Sequence, residues 1–200
     1  TRVADVRDLR AICRERGAEF NLEGDDRPAL ADLAAELDVT QFTLVPVRPG
    51  EVTSDHGWDL PAHTQSLQRT VARLAAEGIR TSCFADCDPE RIAAFADTGT
   101  DRVELYTGPY AWAWGTADQD RERDRLYAAA AAATRVGLGL NAGHDLDRHN
   151  LAGLRDLDPL REVSIGHAQI CRALEVGTHR AIGELLVALG VGSAASLGAT

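Results

Sequence analysis

No lysine occurs among the 200 residues; all 21 basic side chains are arginine. That excludes an enzyme-bound lysine Schiff base, and with it the barrel aldolases that work through one. Methionine is missing too, even at position 1, so the chain is expected not to begin at its natural start. Long apolar runs are absent. The alanine tract at 128–133 is the longest, far short of the roughly 20 residues a membrane helix needs. No secretory signal opens the chain, and a cytoplasmic location is expected. Cysteine is scarce: Cys13, Cys83, Cys87 and Cys171. Cys83 and Cys87 lack a second ligand pair at short spacing, so they are expected as reduced thiols and not as a zinc site. Positive charge is in deficit, with a formal net charge of −10. This argues against nucleic acid or a membrane surface as partner, while leaving room for a local pocket that takes a small anion.

What is present alternates. Val3, Val6, Leu9 and Ile12 recur near the helical period, and Gly17 ends that stretch. "AEFNLEG" reads as a strand, and "DRPALADLAAELD" as a helix with Asp26 as its N-cap and Pro28 near its start. Strand and helix then alternate: "TQFTLVPV", "AHTQSLQRTVARLAAEG", "IRTSCFA", "DPERIAAFADTG", "DRVELYTG", "TADQDRERDRLYAAAAAATRVG", "LGLNAGH", "HNLAGLRDL" and "REVSIGH", with one last helix from Ala168 onward. Six strands, each followed by a helix, imply a parallel sheet in a single domain over residues 1–200.

An open doubly wound sheet would carry a glycine-rich phosphate loop after its first strand, and none is present. A TIM (β/α)8 barrel places its functional residues at the C-terminal ends of several strands. Here those ends read Glu23, Val45-Pro46, Glu104, Asn141-Ala142-Gly143-His144 and Gly166-His167. The barrel is therefore expected, with its first two strands and first helix missing from the front of these 200 residues.

Each strand end has a chemical and a structural reading. Glu23 and Glu104 are carboxylates on otherwise apolar strands, suited to proton transfer or charge stabilisation if desolvated, or else to pairing with arginine. Alternation puts Glu104 on one face with Arg102 and Tyr106, pointing into the barrel. His144 follows small residues that let a ligand approach, and imidazole exchanges protons near neutral pH. Gly166-His167 opens the last helix, where free N–H groups can hold an anion. In the loop after the second strand, Thr53 and Ser54 can donate to a phosphate, and Trp58 either covers a ligand or packs on a helix. "TGPYAWAWGTAD" suits a lid. His56, His63, His149 and His179 are expected on the surface.

"FNLEG", "LVPVRPGEVTSDHGWDL", "VELYTG", "LGLNAGHDL" and "VSIGHA" occur in the order and spacing of pyridoxine 5′-phosphate synthases, and the chain resembles that family from about Val6 to its final helix. The resemblance implies a TIM barrel assembled as a homo-octamer, with no metal or organic cofactor. It implies condensation of 3-amino-2-oxopropyl phosphate with 1-deoxy-D-xylulose 5-phosphate, releasing phosphate and water. Glu23 matches the family's proton acceptor, His144 its proton donor and Glu104 the glutamate that stabilises the transition state. Thr53 matches a contact to the deoxyxylulose phosphate. Gly166 and His167 match a pair that binds the amino ketone phosphate, as does position 145, where Asp145 replaces a glycine. The family's Asp-His pair and its His and Arg, on its first two strands, have no counterpart here. The 200 residues alone should therefore form neither a closed barrel nor a competent site. The alternative is a non-catalytic or altered-substrate paralogue that binds a small phosphate ligand.

Overall fold

The computed structural model describes residues 2–51 and 53–192. Helix α1 (Val3–Glu15) leads into six strands: β1 (Asn21–Gly24), β2 (Gln41–Leu44), β3 (Arg80–Ala85), β4 (Arg102–Tyr106), β5 (Gly139–Gly143) and β6 (Leu160–Ser164). Between them run α2 (Pro28–Leu37), α3 (Leu60–Ala76), α4 (Pro89–Ile92) continued by a 3-10 stretch (Ala93–Thr98), α5 (Gly108–Ala113), α6 (Gln119–Arg135) and a second 3-10 stretch (Asn150–Leu154); α7 (His167–Val176) and α8 (Thr178–Ala188) follow β6. The strands form one parallel sheet in the order β1-β2-β3-β4-β5-β6. The sheet curls. Gln41 on β2 donates from Nε2 to Glu162 on β6 at 3.1 Å, although three strands lie between them along the sheet. Among the described residues β1 and β6 do not pair, so the curled sheet is open on that side.

Alternation along the strands divides the side chains into two environments. Outward residues Phe42, Leu44, Cys83, Val103, Leu105 and Leu140 are all fully buried against the helices. Each such apolar side chain contributes about 1.5–3 kcal/mol by leaving water. Leu67 and Leu74 of α3, and Leu126, Ala130 and Ala133 of α6, cover them. The alanine tract explains α6: Ala129, Ala130, Ala132 and Ala133 are buried, so the helix backbone can lie close on β4 and β5. Inward residues are mostly polar, unlike the branched apolar layers common in such barrels. Arg80 donates to Gln41 at 2.7 Å, Arg102 donates to Asn141 at 3.2 Å and pairs with Glu162 at 3.5 Å, and Thr43 donates to Asn21 at 3.0 Å.

Several local expectations need correction. The N-cap of α2 is Arg27, not Asp26; the carboxylate that meets its backbone N–H belongs to Asp25, at 3.1 Å. "TGPYAWAWGTAD" holds a helix that the sequence did not announce. It contains α5, whose Tyr110 is buried and donates to the carbonyl of Asn150, anchoring the segment. The final helix is two helices, because Gly177 adopts φ +81° and turns the chain between α7 and α8; any continuation past residue 192 lies outside the described residues. Among the described residues, no helix is long and apolar enough to cross a membrane.

Candidate active site

A cavity of about 1080 Å³ opens at the C-terminal ends of the strands. All seven residues singled out from the sequence line it: Glu23, Thr53, Glu104, His144, Asp145, Gly166 and His167. They come from β1, the β2–α3 loop, β4, the end of β5 and the start of α7.

Glu104 is 4 % exposed and points inward, where Ser164 of β6 donates to it at 3.4 Å. Gly143 of β5 stands beside it; a Cβ at that position would collide with Oε1 of Glu104. The glycine in "NAGH" therefore makes room for a carboxylate. His144 follows with φ +88°, and Asp145 with φ +57°, two successive non-glycine residues in left-handed backbone. Such backbone is unfavourable for side-chain-bearing residues and collects at functional sites. It turns the imidazole to the cavity, where the ring packs near Tyr106 (5.2 Å between centroids) and Phe84 (5.8 Å). Nε2 of His144 lies 3.2 Å from Oγ1 of Thr53, and Nδ1 lies 3.9 Å from the Asp145 carboxylate.

Thr53 is delivered by a pinned loop. Ser54 donates to the carbonyl of Pro46, and Trp58 donates to that of Leu44 at 2.8 Å. Gly57 passes so close to β3 that a Cβ would strike the backbone of Ala85 and Asp86, and its N–H donates to Asp86 at 2.8 Å. Of the two readings of Trp58, packing is the observed one. His56 and His63 are half-buried and not free on the surface: His56 meets Asp55 at 3.1 Å, and His63 lies edge-on to Trp58. His149 and His179 are exposed as expected.

The family described as "Pyridoxal phosphate biosynthesis protein PdxJ" matches residues 1–190. The chain belongs to the PdxJ family. It is 43% identical over 194 residues to the pyridoxine 5′-phosphate synthase of Mesorhizobium japonicum, covering 95% of this chain and 79% of that one. It is 45% identical over 192 residues to the synthase of Brucella anthropi, covering 94% and 78%. In fold it is similar to a TIM-barrel protein, the tryptophan synthase A-subunit of Pyrococcus furiosus, with TM-score 0.61 and 18% identity over 94% of this chain and 72% of that one.

Electrostatics separate the two carboxylates of this PdxJ chain. Burial first, and then the charges of Glu23 and Glu162, push Glu104 up to about 8, so it holds its proton at neutral pH. Glu23 is raised by the surrounding protein and by Glu162, but it stands exposed at the open edge, where water limits the effect. Burial keeps Tyr106 protonated, its phenol raised to about 12. Cys83 and Cys87 are free, and burial pushes both thiols up to about 12, so they remain thiols at neutral pH.

Sequence reasoning missed four contributors. Thr107 and Asn150 brace the His144 segment, Tyr106 packs on its ring, and the exposed Trp112 lines the cavity beside Tyr106. Tyr106 had a signal, since it shares the inner face with Glu104. Thr107 and Asn150 had none, because their roles depend on contacts 36 and 5 residues away.

Proposed function

We propose that this protein is a pyridoxine 5′-phosphate synthase that condenses 3-amino-2-oxopropyl phosphate with 1-deoxy-D-xylulose 5-phosphate by acid/base catalysis. The observation that carries this reading is the gathering of Glu23, Glu104, His144, Thr53, Gly166 and His167 around one cavity. The amine and ketone join as an imine, phosphate and water leave, and the ring closes by an aldol-type bond. Each stage moves protons. Glu23, wet and with its affinity for protons raised, accepts them. His144 donates. Glu104, neutral at pH 7, donates a hydrogen bond to oxygen that gains charge in the transition state.

Thr53 contacts the deoxyxylulose phosphate. Gly166, His167 and residue 145 contact the amino ketone phosphate at the start of α7, whose first N–H groups favour an anion. The reading needs no metal or organic cofactor, and carries with it a cytoplasmic homo-oligomer, an octamer by family resemblance, measurable by sedimentation. The relatives named as synthases favour it over a non-catalytic paralogue.

The test is direct. Purified protein incubated with both phosphates is assayed by mass for pyridoxine 5′-phosphate. Product formation that drops at least about 100-fold in Glu23→Gln and His144→Asn supports the assignment. Protein shown to be folded and to close its barrel that makes no product, or variants with near-normal turnover, would overturn it.

A further inference from the structure

Thr107 occupies the N-cap position of α5, where a threonine hydroxyl ordinarily accepts from a backbone N–H of its own first turn. It makes no such bond. Instead the hydroxyl points across to β5, 2.6 Å from the carbonyl oxygen of Gly143 and 2.6 Å from that of His144. Its own N–H also donates to the Gly143 carbonyl, at 2.8 Å. One side chain, fully shielded from water, thus grips both peptides that flank the Cα of His144. These are the peptides that must hold left-handed backbone at residues 144 and 145. On the far side Asn150 donates from Nδ2 to the carbonyl of Asp145 at 3.0 Å. Without the hydroxyl, the half-buried His144 carbonyl would lose its donor and the Gly143 carbonyl would keep only the Thr107 N–H, so the unfavourable backbone would lose a restraint on both peptides.

We propose that Thr107 is a positioning residue for the reaction: its hydroxyl, taken from helix capping, fixes the backbone of Gly143 and His144 and so aims the imidazole into the cavity. It touches no substrate. The inference rests on the acid/base role of His144 given above. A hydrogen-bond donor 37 residues away in sequence therefore sets the reach of the proton donor.

The test uses the full chain. Thr107→Val keeps the shape and removes the donor; Thr107→Ser keeps the donor and removes the methyl. The valine variant should lose about 30- to 100-fold in kcat, with KM for either phosphate within about threefold and Tm little changed, and serine should restore kcat to within about threefold. If Thr107→Val does not fold, Thr107→Ala serves as the donor-free variant with the same expectation. Nitrogen-15 spectra of the six histidine rings supply a readout independent of turnover: the His144 signals shift or broaden in the donor-free variant while the other rings hold. Donor-free protein with kcat within twofold of wild type overturns the inference, as does a serine variant no better than valine. Should wild-type protein with a closed barrel make no product, the acid/base reading fails on its own account. The ring spectra then decide, and unmoved His144 signals would sink the positioning role.

Discussion

Glu104 couples chemistry to stability at a single carboxyl. Its folded-state value of about 8 lies above an unfolded value near 4.5. Between these limits the folded protein binds more protons than the unfolded chain, so stability is full below about pH 4.5 and falls as pH rises to about 8. Glu104→Gln mimics the neutral form. It should therefore flatten that decline and melt higher than wild type at pH 8–9, by an amount on the order of a few kcal/mol, while abolishing turnover. Thermal melts across pH check the first claim, and a variant that follows the wild-type slope would refute it. Turnover in wild type should fall above about pH 8 as Glu104 ionises. Asp145 offers a second test at this scale. It lines the cavity in left-handed backbone, and its carboxylate would face an incoming phosphate. Asp145→Gly removes both the repulsion and the strain. KM for the amino ketone phosphate should fall by about three- to tenfold, with stability within about 1 kcal/mol of wild type. An unchanged or higher KM would show that the carboxylate turns away from the ligand.

At the scale of elements, the strands and long helices were legible because burial imposes a period. Phe42 and Leu44, or Val103 and Leu105, alternate with polar neighbours, and the alanine face of α6 repeats at the helical spacing. The strand ends bearing Glu23, Glu104 and His144 could be read for the same reason: a polar group that interrupts an apolar pattern stands out. What could not be read depends on contacts between elements. α5 is six residues long, too short for its period to show, and its place is fixed by Tyr110 reaching the Asn150 carbonyl. The break at Gly177 was hidden because apolar residues recur on both sides of it. α7 and α8 are joined by Glu184, which accepts from Arg172 at 2.7 Å, Arg148 at 3.2 Å and Arg180 at 3.4 Å. Those arginines, Arg172 foremost, hold its carboxyl down at about 2. The stabilisation is present above pH 4.5 and lost as pH falls toward 2. Glu184→Gln should speed hydrogen exchange in α7 and α8 at neutral pH, for a loss of about 1 kcal/mol. Equal protection in both proteins would mean that apolar packing alone holds the pair.

Across the whole molecule, the inner polar layer links the two ends of the curled sheet. Glu162 pairs with Arg102 and accepts from Gln41 toward the N-terminal end, yet its charge raises both Glu23 and Glu104 at the cavity. Glu162→Gln should therefore lower the Glu104 value below about 8 and move the alkaline fall in activity to lower pH. It leaves half-buried Arg102 with Asn141 as acceptor, at a stability cost of about 1 kcal/mol. A pH profile that coincides with wild type would show the two ends to be electrically independent.

Along β2 to β5, neighbouring residues do different physical work. Leu44, Val103, Leu105 and Leu140 face the helices and hold the protein together, while Thr43, Glu104 and Asn141 on the same strands face the interior. Volume-conserving exchanges on the outer face can accumulate with little penalty, changing the melting temperature while leaving the reaction as it was. Changes on the inner face touch buried hydrogen bonds, so a lineage that revises its chemistry must keep those polar partners matched. Thermal tolerance can thus drift on the outer face without touching the reaction, one residue away on the same strand.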